Sequence, residues 1–511
     1  MSANSDNPAG MSTRWLRQRV NELQGALADM TQTAWELSQT VSQLSENLES
    51  TSALAADNAD RIYALELSVW RYHERPALVT RLVAIGYDET EAAEIVDMLV
   101  ATGIDTAAQG VALREQLATL RYTPTEIEEC IEDVPGITQA DIDYAKEILD
   151  AWDPATTSLA RAYQDDQQIV LFPKLDTSNV TDVNRMLRNA RNIAFVPLLD
   201  TSKVKNNAYA FGWDAGNKIK RLPDFDWSGV TNRDGPYTGL SLLERLPGHP
   251  IDLSRQTEVW QYFTNSRIPD EFPGVIFNTE QPNMQVRRLF SGCKNIGNRL
   301  PVKDFPDNVG NIDNLFTNSD ISGDLSAETI TARGATILES AFKACSGPTH
   351  APQLDTPAIE DAGLMFAWCR YLRTVPDYTA MSPVNMEDML KGDYGTYPLE
   401  RVEGLNFARV TNATIFGTGT TSGHQKPYLR YMRIVNLGQS ELASYDFSLA
   451  TVWGTGSEEA RQSLVNSLLT DSYDRAAAAM APATVRLSTA SKAALTAEEI
   501  AAITAKGFTI A

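Results

Sequence analysis

From Leu16 onward, apolar or small residues recur in alternating steps of four and three: Leu16, Val20, Leu23, Leu27, Met30, Leu37, Val41, Leu44, Leu48, Asn58, Ile62, Leu65 and Val69, with Ala34, Thr51 and Ala55 between them. A stripe this narrow stays wet on a lone helix, and its 3.5-residue period suits a left-handed supercoil. The spacing predicts a parallel coiled-coil stalk over residues 16–72, behind a flexible tail over 1–15. At about 1.5 Å per residue the stalk would be roughly 80 Å long. Its flanking positions are mostly Ser, Thr, Gln, Asn and Ala. Charge therefore does not select a different partner chain, and self-association through the named residues is expected, with polar Asn58 imposing register.

Between residues 76 and 160 the pattern changes to short helices with their own start signals, which predicts a helical collar. Asp88 precedes Glu91, Thr123 precedes Pro124 and Glu126, and Thr138 precedes Asp141. Each is a capping signature. Cys130 falls in one of these helices as a small buried residue.

Beyond residue 165 the chain repeats itself. LDTSNV at Leu175–Val180 returns as LDTSKV at Leu199–Val204, 24 residues on. An apolar landmark lies 12 positions after each leucine and continues as Leu187, Phe211, Phe263, Phe290, Phe316, Phe342, Phe366, Leu390 and Phe416, in steps of 24 to 27 with one blurred register near Leu240–Leu243. Pro197, Pro223, Pro301, Pro352 and Pro376 follow the landmarks at similar offsets. Each unit is expected to be an extended segment, a polar turn and a short helix ending near the landmark. A period of this length marks stacked units that share one core. Cys293, Cys345 and Cys369 each lie three positions after a landmark, where other units carry Ala190, Ser266 or Ser319. That placement predicts a small buried slot and no nucleophile.

LDTSNVTDVNRML (175–187) and LNFARVTNATIF (405–416) resemble the BspA-like leucine-rich repeat, over roughly residues 165–450. The tail, with SLLTDSYDRAAAAM and LTAEEIAAITAKGFTIA, resembles the terminal cap of such arrays from Bacteroides-type bacteria and their phages. Added to the stalk and collar read from spacing, the resemblance implies a multidomain α+β fold: coiled coil, small helical domain, leucine-rich-repeat solenoid and a C-terminal cap over 451–511. In that cap Thr496 and Glu499 form a capping box and FTIA a last strand. Family members are similar in being binding solenoids, not catalysts. By analogy with phage fibres the expected assembly is a homotrimer. The chain would be a virion structural fibre, made in the host cytoplasm, with other virion proteins near its N-terminus and a host glycan or protein at the repeat head. The alternatives are a bacterial surface adhesin and a fibre that also cleaves glycans.

Composition narrows the partners. The 511 residues hold 44 Lys and Arg against 66 Asp and Glu, a formal charge of −22, which disfavours nucleic acid. No run of 18 apolar residues and no leader pattern is present, so neither membrane insertion nor secretion is expected. Four dispersed cysteines make neither a disulfide framework nor a metal motif. His73, His249, His350 and His424 show no metal-ligand spacing. DNVGNIDN (307–314) lacks the calcium-loop ladder, and FGTGTTSG (416–423) lacks the lysine of a phosphate loop. No cofactor, metal or catalytic set is expected. Trp213, Trp227, Tyr237, Trp260, Tyr262, Trp368, Tyr371, Tyr394, Tyr397, Tyr428 and Tyr431 are candidate ligand anchors. The sequence leaves open which of them bind and which pack.

Overall fold

A computed structural model describes residues 19, 22, 29, 32–33, 35–44, 75–101, 104–212, 216–230, 234–345, 347–392, 398–417 and 428–511. Of the expected oligomerisation residues, Leu37, Val41 and Leu44 fall inside this set, on a helical stretch over 35–44. Leu16, Val20, Leu23, Leu27, Met30, Leu48, Asn58, Ile62, Leu65 and Val69 lie outside the described residues, as do Trp213, Tyr394, Tyr397, His73 and His424.

Contacts divide the chain into two units at Glu115/Gln116, so the expected collar over 76–160 is shared between them. In the first unit, helices α1 (Arg75–Ala84) and α2 (Glu89–Ala101) bury Leu78, Leu82, Ala92, Ile95 and Val96. Arg75 pairs with Asp97 at 2.7 Å, and Asp88 caps α2 through the Glu91 amide at 2.8 Å. Helix α3 (Ile104–Ala118) leads across the division.

The second unit opens with α4 (Pro124–Asp133) and α5 (Gln139–Asp150), both started by capping boxes, Thr123 with Glu126 and Thr138 with Asp141. From Ser158 to Asn412 the chain advances in rungs, each paired in parallel with the next, as in Ser158↔Asp182, Asp182↔Asn206 and Ile337↔Asp361. Five strands, β1 (Ser322–Asp324), β3 (Gly347–His350), β5 (Thr374–Asp377), β6 (Arg401–Asn406) and β7 (Tyr431–Val435), lie side by side in sequence order. β2 (Thr329–Thr331) and β4 (Gln353–Asp355) pair in a second ladder, so the chain visits the two alternately.

The LDTSNV wording has a physical reading, letter by letter. Leu175 and Val180 enter the core. Asp176 accepts the amide of Ser178 at 3.2 Å, an Asx turn that bends the chain. Thr177 donates to the Asp200 carbonyl of the next rung at 2.8 Å, and Thr201 repeats this to Asp226 at 2.9 Å. The same turn recurs at Asp200–Ser202, Asp226–Ser228, Asp252–Ser254 and Asp324–Ser326.

The helix expected at each landmark is absent among the described residues, and a chain of overlapping turns replaces it. In the Phe342 rung, Leu338, Ser340, Phe342 and Ala344 donate their amides to Asp361, Gly363, Met365 and Ala367 of the next rung at 2.7–2.9 Å, while Ala341, Lys343 and Cys345 donate back three residues at 3.1 Å. Ser340 and Ala344 take left-handed φ of 59° and 57°. A helix would turn every amide onto its own chain and leave the neighbouring rung unpaired. The alternation satisfies both, at the cost of left-handed non-glycine residues.

Landmark rings stack through the core. Phe263 lies on Phe290 at 5.5 Å and 6°, Phe290 on Phe316 at 5.6 Å, and Phe342 on Phe366 at 5.3 Å and 15°. The blurred register resolves differently from the expected Leu240–Leu243. Tyr237 fills the landmark place, between Phe211 at 6.2 Å and Phe263 at 5.7 Å, and Leu240 takes the slot three residues on.

Both ends of the ladder are closed. At the first rungs Tyr122 donates to the Phe172 carbonyl at 2.7 Å, and Glu126 accepts from Lys174 Nζ at 2.9 Å and the Leu198 amide at 3.1 Å. At the far end Ser467 Oγ accepts the Ile434 amide at 2.9 Å, and Trp453 Nε1 donates to Met432 at 3.0 Å, so side chains cover the edge strand. A three-stranded parallel sheet, β8 (Ser444–Phe447), β9 (Ala483–Leu487) and β10 (Phe508–Ile510), completes the core. The Thr496–Glu499 capping box starts the last helix, Ala497–Ala505. Gly438, at φ 88°, sits where a Cβ would collide with the Phe508 ring.

Candidate ligand-binding clefts

Among the described residues, two clefts lie between segments of neighbouring rungs. The larger, about 570 Å³, is lined by Phe272, Asn295, Arg299, Lys303, Asp304 and Glu328 among others. Lys303 pairs with Glu328 at 3.0 Å, and Asn295 donates to Asp270 at 2.8 Å. Phe272 packs edge-on against Phe263 and Phe290 beneath it.

The smaller cleft, about 300 Å³, lies between the segments 224–228 and 247–252, with Trp227 and Tyr237 among its lining. Trp227 is half-buried against Phe225 at 5.3 Å and Phe211 at 6.5 Å. Its Nε1 donates to Tyr237 Oη at 2.7 Å. Tyr237 is 3% exposed, and burial pushes its hydroxyl above the usual phenol range, so it stays protonated. Asp224, Asp226 and Asp252 stand exposed at the rim. His249 meets Asp224 at 2.7 Å; that hydrogen bond, with a second to the Pro250 carbonyl, raises the imidazole above its ordinary value. The Ser228 side chain and amide hold Asp226 below the usual carboxylate range.

The other aromatic anchors divide by environment. Tyr262 belongs to the core. Trp260 lies under the Arg287 guanidinium at 5.1 Å, Trp368 under Lys343 at 4.8 Å and Tyr431 under Arg401 at 3.8 Å. Tyr371 and Tyr428 are 59% and 51% exposed. Asp313, from the DNVGNIDN stretch, pairs with Arg287 at 2.9 Å. All four cysteines are buried. Burial raises their thiols, Cys369 to about 12. Among the described residues no group of three His, Cys, Asp or Glu converges as a metal site, and no helix is long and apolar enough to cross a membrane.

Sequence reading picked out Trp227, Tyr237 and His249 singly but not Asp224, Asp226 and Asp252. The recurring D-x-S turn, which fixes Asp226 and Asp252 at equivalent places on successive rungs, was the available signal. Compared with known proteins, the chain matches no family model, no curated protein and no solved structure.

Proposed function

We propose that this chain is a self-associating fibre protein of a phage virion, in which BspA-like repeats form a head that binds a surface ligand without turning it over. The observation that carries the self-association is the exposure of Leu37, Val41 and Leu44, at 66%, 60% and 63%, along the helical stretch 35–44. Exposed branched aliphatics in steps of four and three form a seam that a second helix would cover. The head reading is supported by rungs whose core is closed at both ends, so that the clefts between rungs are spare surface, and by the aromatic rings set at or near that surface. Three such heads on one stalk would raise avidity by roughly 10²–10⁴ where their sites engage together.

Light scattering of the full chain tests the assembly. A mass of three times 56.2 kDa is expected, a dimer would correct the stoichiometry, and a monomer would overturn the reading. Detection of the chain in purified virions, and loss of host attachment when it is removed, test the setting.

A further inference from the structure

The tripeptide Tyr-Leu-Arg stands at 371–373 and again at 428–430, with Pro-Leu-Glu at 398–400 between them. Backbone bonds set the three side by side on successive rungs: the Glu400 amide donates to the Arg373 carbonyl at 2.9 Å, and the Arg430 amide to the Glu400 carbonyl at 3.0 Å. Packing explains the middle letter alone. Leu372, Leu399 and Leu429 are fully buried, whereas Tyr371 and Tyr428 are 59% and 51% exposed. Among the described residues Tyr371 makes no hydrogen bond or ring contact, and Arg430 forms no ion pair. Arg430 instead donates to Tyr428 Oη at 3.1 Å and lies over that ring at 5.0 Å. Arg373 meets Glu400 at 3.7 Å, with both side chains more than half exposed. The core has no use for either tyrosine, and exposed aromatic rings beside arginines are what binding surfaces are made of.

We propose that this strip binds a linear polysaccharide, laid along the axis of the stack, in which every second sugar carries a carboxylate: Tyr371 and Tyr428 stack on alternate sugar rings, and Arg373 and Arg430 meet the carboxylates. Two rungs separate the two copies of the motif by about 9.5 Å. Copies related by translation suit a ligand that itself repeats by translation and offers each copy a flat apolar face and an anion. An extended β-linked chain advances by close to one rung spacing per sugar, so alternate rings fall on the two tyrosines. Single-stranded nucleic acid also stacks on aromatic rings, but its phosphates, about 3.4 Å apart along a strand, are denser than these arginines. The formal charge of −22 repels such a polymer more strongly than a sparsely charged one. The inference deepens the reading of the rungs as a binding head and rests on it.

The test is calorimetric titration of the full chain with a hyaluronan hexasaccharide, whose glucuronate recurs at every second sugar, a hyaluronan disaccharide, the neutral chitin hexasaccharide and a single-stranded oligothymidylate. The hyaluronan hexasaccharide should bind about tenfold more tightly than the neutral chain, which lacks the anion, and than the disaccharide, which reaches one tyrosine only. Tyr371→Ala and Arg430→Ala should each weaken it about tenfold. Both side chains are exposed, so neither variant should move the thermal unfolding of the head, and Tyr371→Phe, which keeps the ring, should bind as the parent does. No hyaluronan binding, equal binding of the two lengths or of the neutral chain, an unaltered affinity in the two alanine variants, or tighter binding of oligothymidylate overturns the strip. Host attachment is scored separately. Hyaluronan binding without attachment would remove the head reading and keep the strip, whereas attachment without hyaluronan binding would remove the strip and keep the head.

Discussion

Cys293 donates its thiol hydrogen to the carbonyl of Phe263, one rung back, at 2.9 Å. Cys345 does the same to Phe316 at 3.0 Å and Cys369 to Phe342 at 3.1 Å, while Ser266 and Ser319 donate to Tyr237 and Phe290 at 2.6 Å. Serine and cysteine interchange in this slot because each is small and each carries a donor that adds a hydrogen bond to the preceding rung's carbonyl.

Cys345→Ser should therefore fold with little loss of stability, whereas Cys345→Ala should cost about 1 kcal/mol by removing one of the two hydrogen bonds that the Phe316 carbonyl accepts, the other coming from the Ser319 amide. Urea unfolding of the two variants would separate a donor slot from a mere gap. In the native protein none of the four thiols should react with a chromogenic disulfide, and all four should react in denaturant. A fast native thiol would contradict the burial.

Phe342 stacks between Phe316 and Phe366 and is fully buried. Replacing it by Ala should cost about 3–5 kcal/mol, the usual penalty for emptying an aromatic core site. Phe342→Leu should cost less. A thermal transition unmoved by Phe342→Ala would show that the ring does not carry the ladder.

Glu339 has its carboxyl raised, first by burial and then by the carboxylates of Asp361 and Asp313 on neighbouring rungs. The folded state thus keeps its proton to a higher pH than the unfolded chain does. Stability falls as pH rises from the unfolded value of about 4.3 through the folded one. Glu339→Gln should be more stable than the parent at pH 7 and no different near pH 4. Unfolding at the two pH values checks the sign.

Arg221 bridges Glu129 at 2.7 Å, Glu132 at 2.6 Å and Asp133 at 3.1 Å, tying α4 to the rungs. Arg221→Ala should cost about 1–3 kcal/mol, because it leaves the 6%-exposed Asp133 without its cation. Glu132 is held down to about 2, first by hydrogen bonding to Arg245 and also by Arg221, against the opposing pull of burial. Its contribution is present above the unfolded value near about 4.3 and is lost as pH falls towards 2. Hydrogen exchange should speed up in residues 124–133 before it does around Phe342. Salt should shrink the effect, since Glu132 is half exposed.

Local rules made part of this molecule legible in the sequence. The cap signatures at Thr123, Thr138 and Thr496, the core places of Leu175 and Val180, and the burial of Phe263 to Phe366 all follow from residue type and spacing, and the structure contains each. The Ser and Cys slot was legible as small, though its donor role was not, because the acceptor is a backbone carbonyl one rung away.

What the sequence determined was the period and which residues face inward, since a residue that recurs every rung meets its own counterpart and the hydrophobic effect alone orders such a stack. Tertiary structure decided the path between those points. Left-handed turns at Arg185, Gln261, Ser340 and Leu364 are unfavourable locally and show no glycine signal. They exist because they aim alternate amides at the next rung, a gain that appears only once the rungs are stacked. Tyr237 lies 26 residues from both Phe211 and Phe263, so its place in the ring column did follow the period, and only the choice of Leu240–Leu243 hid it. Tertiary structure also decided the smaller cleft, where Asp224 and Trp227 lie on one rung and His249 on the next, and they line one cleft only when parallel pairing brings the two segments together.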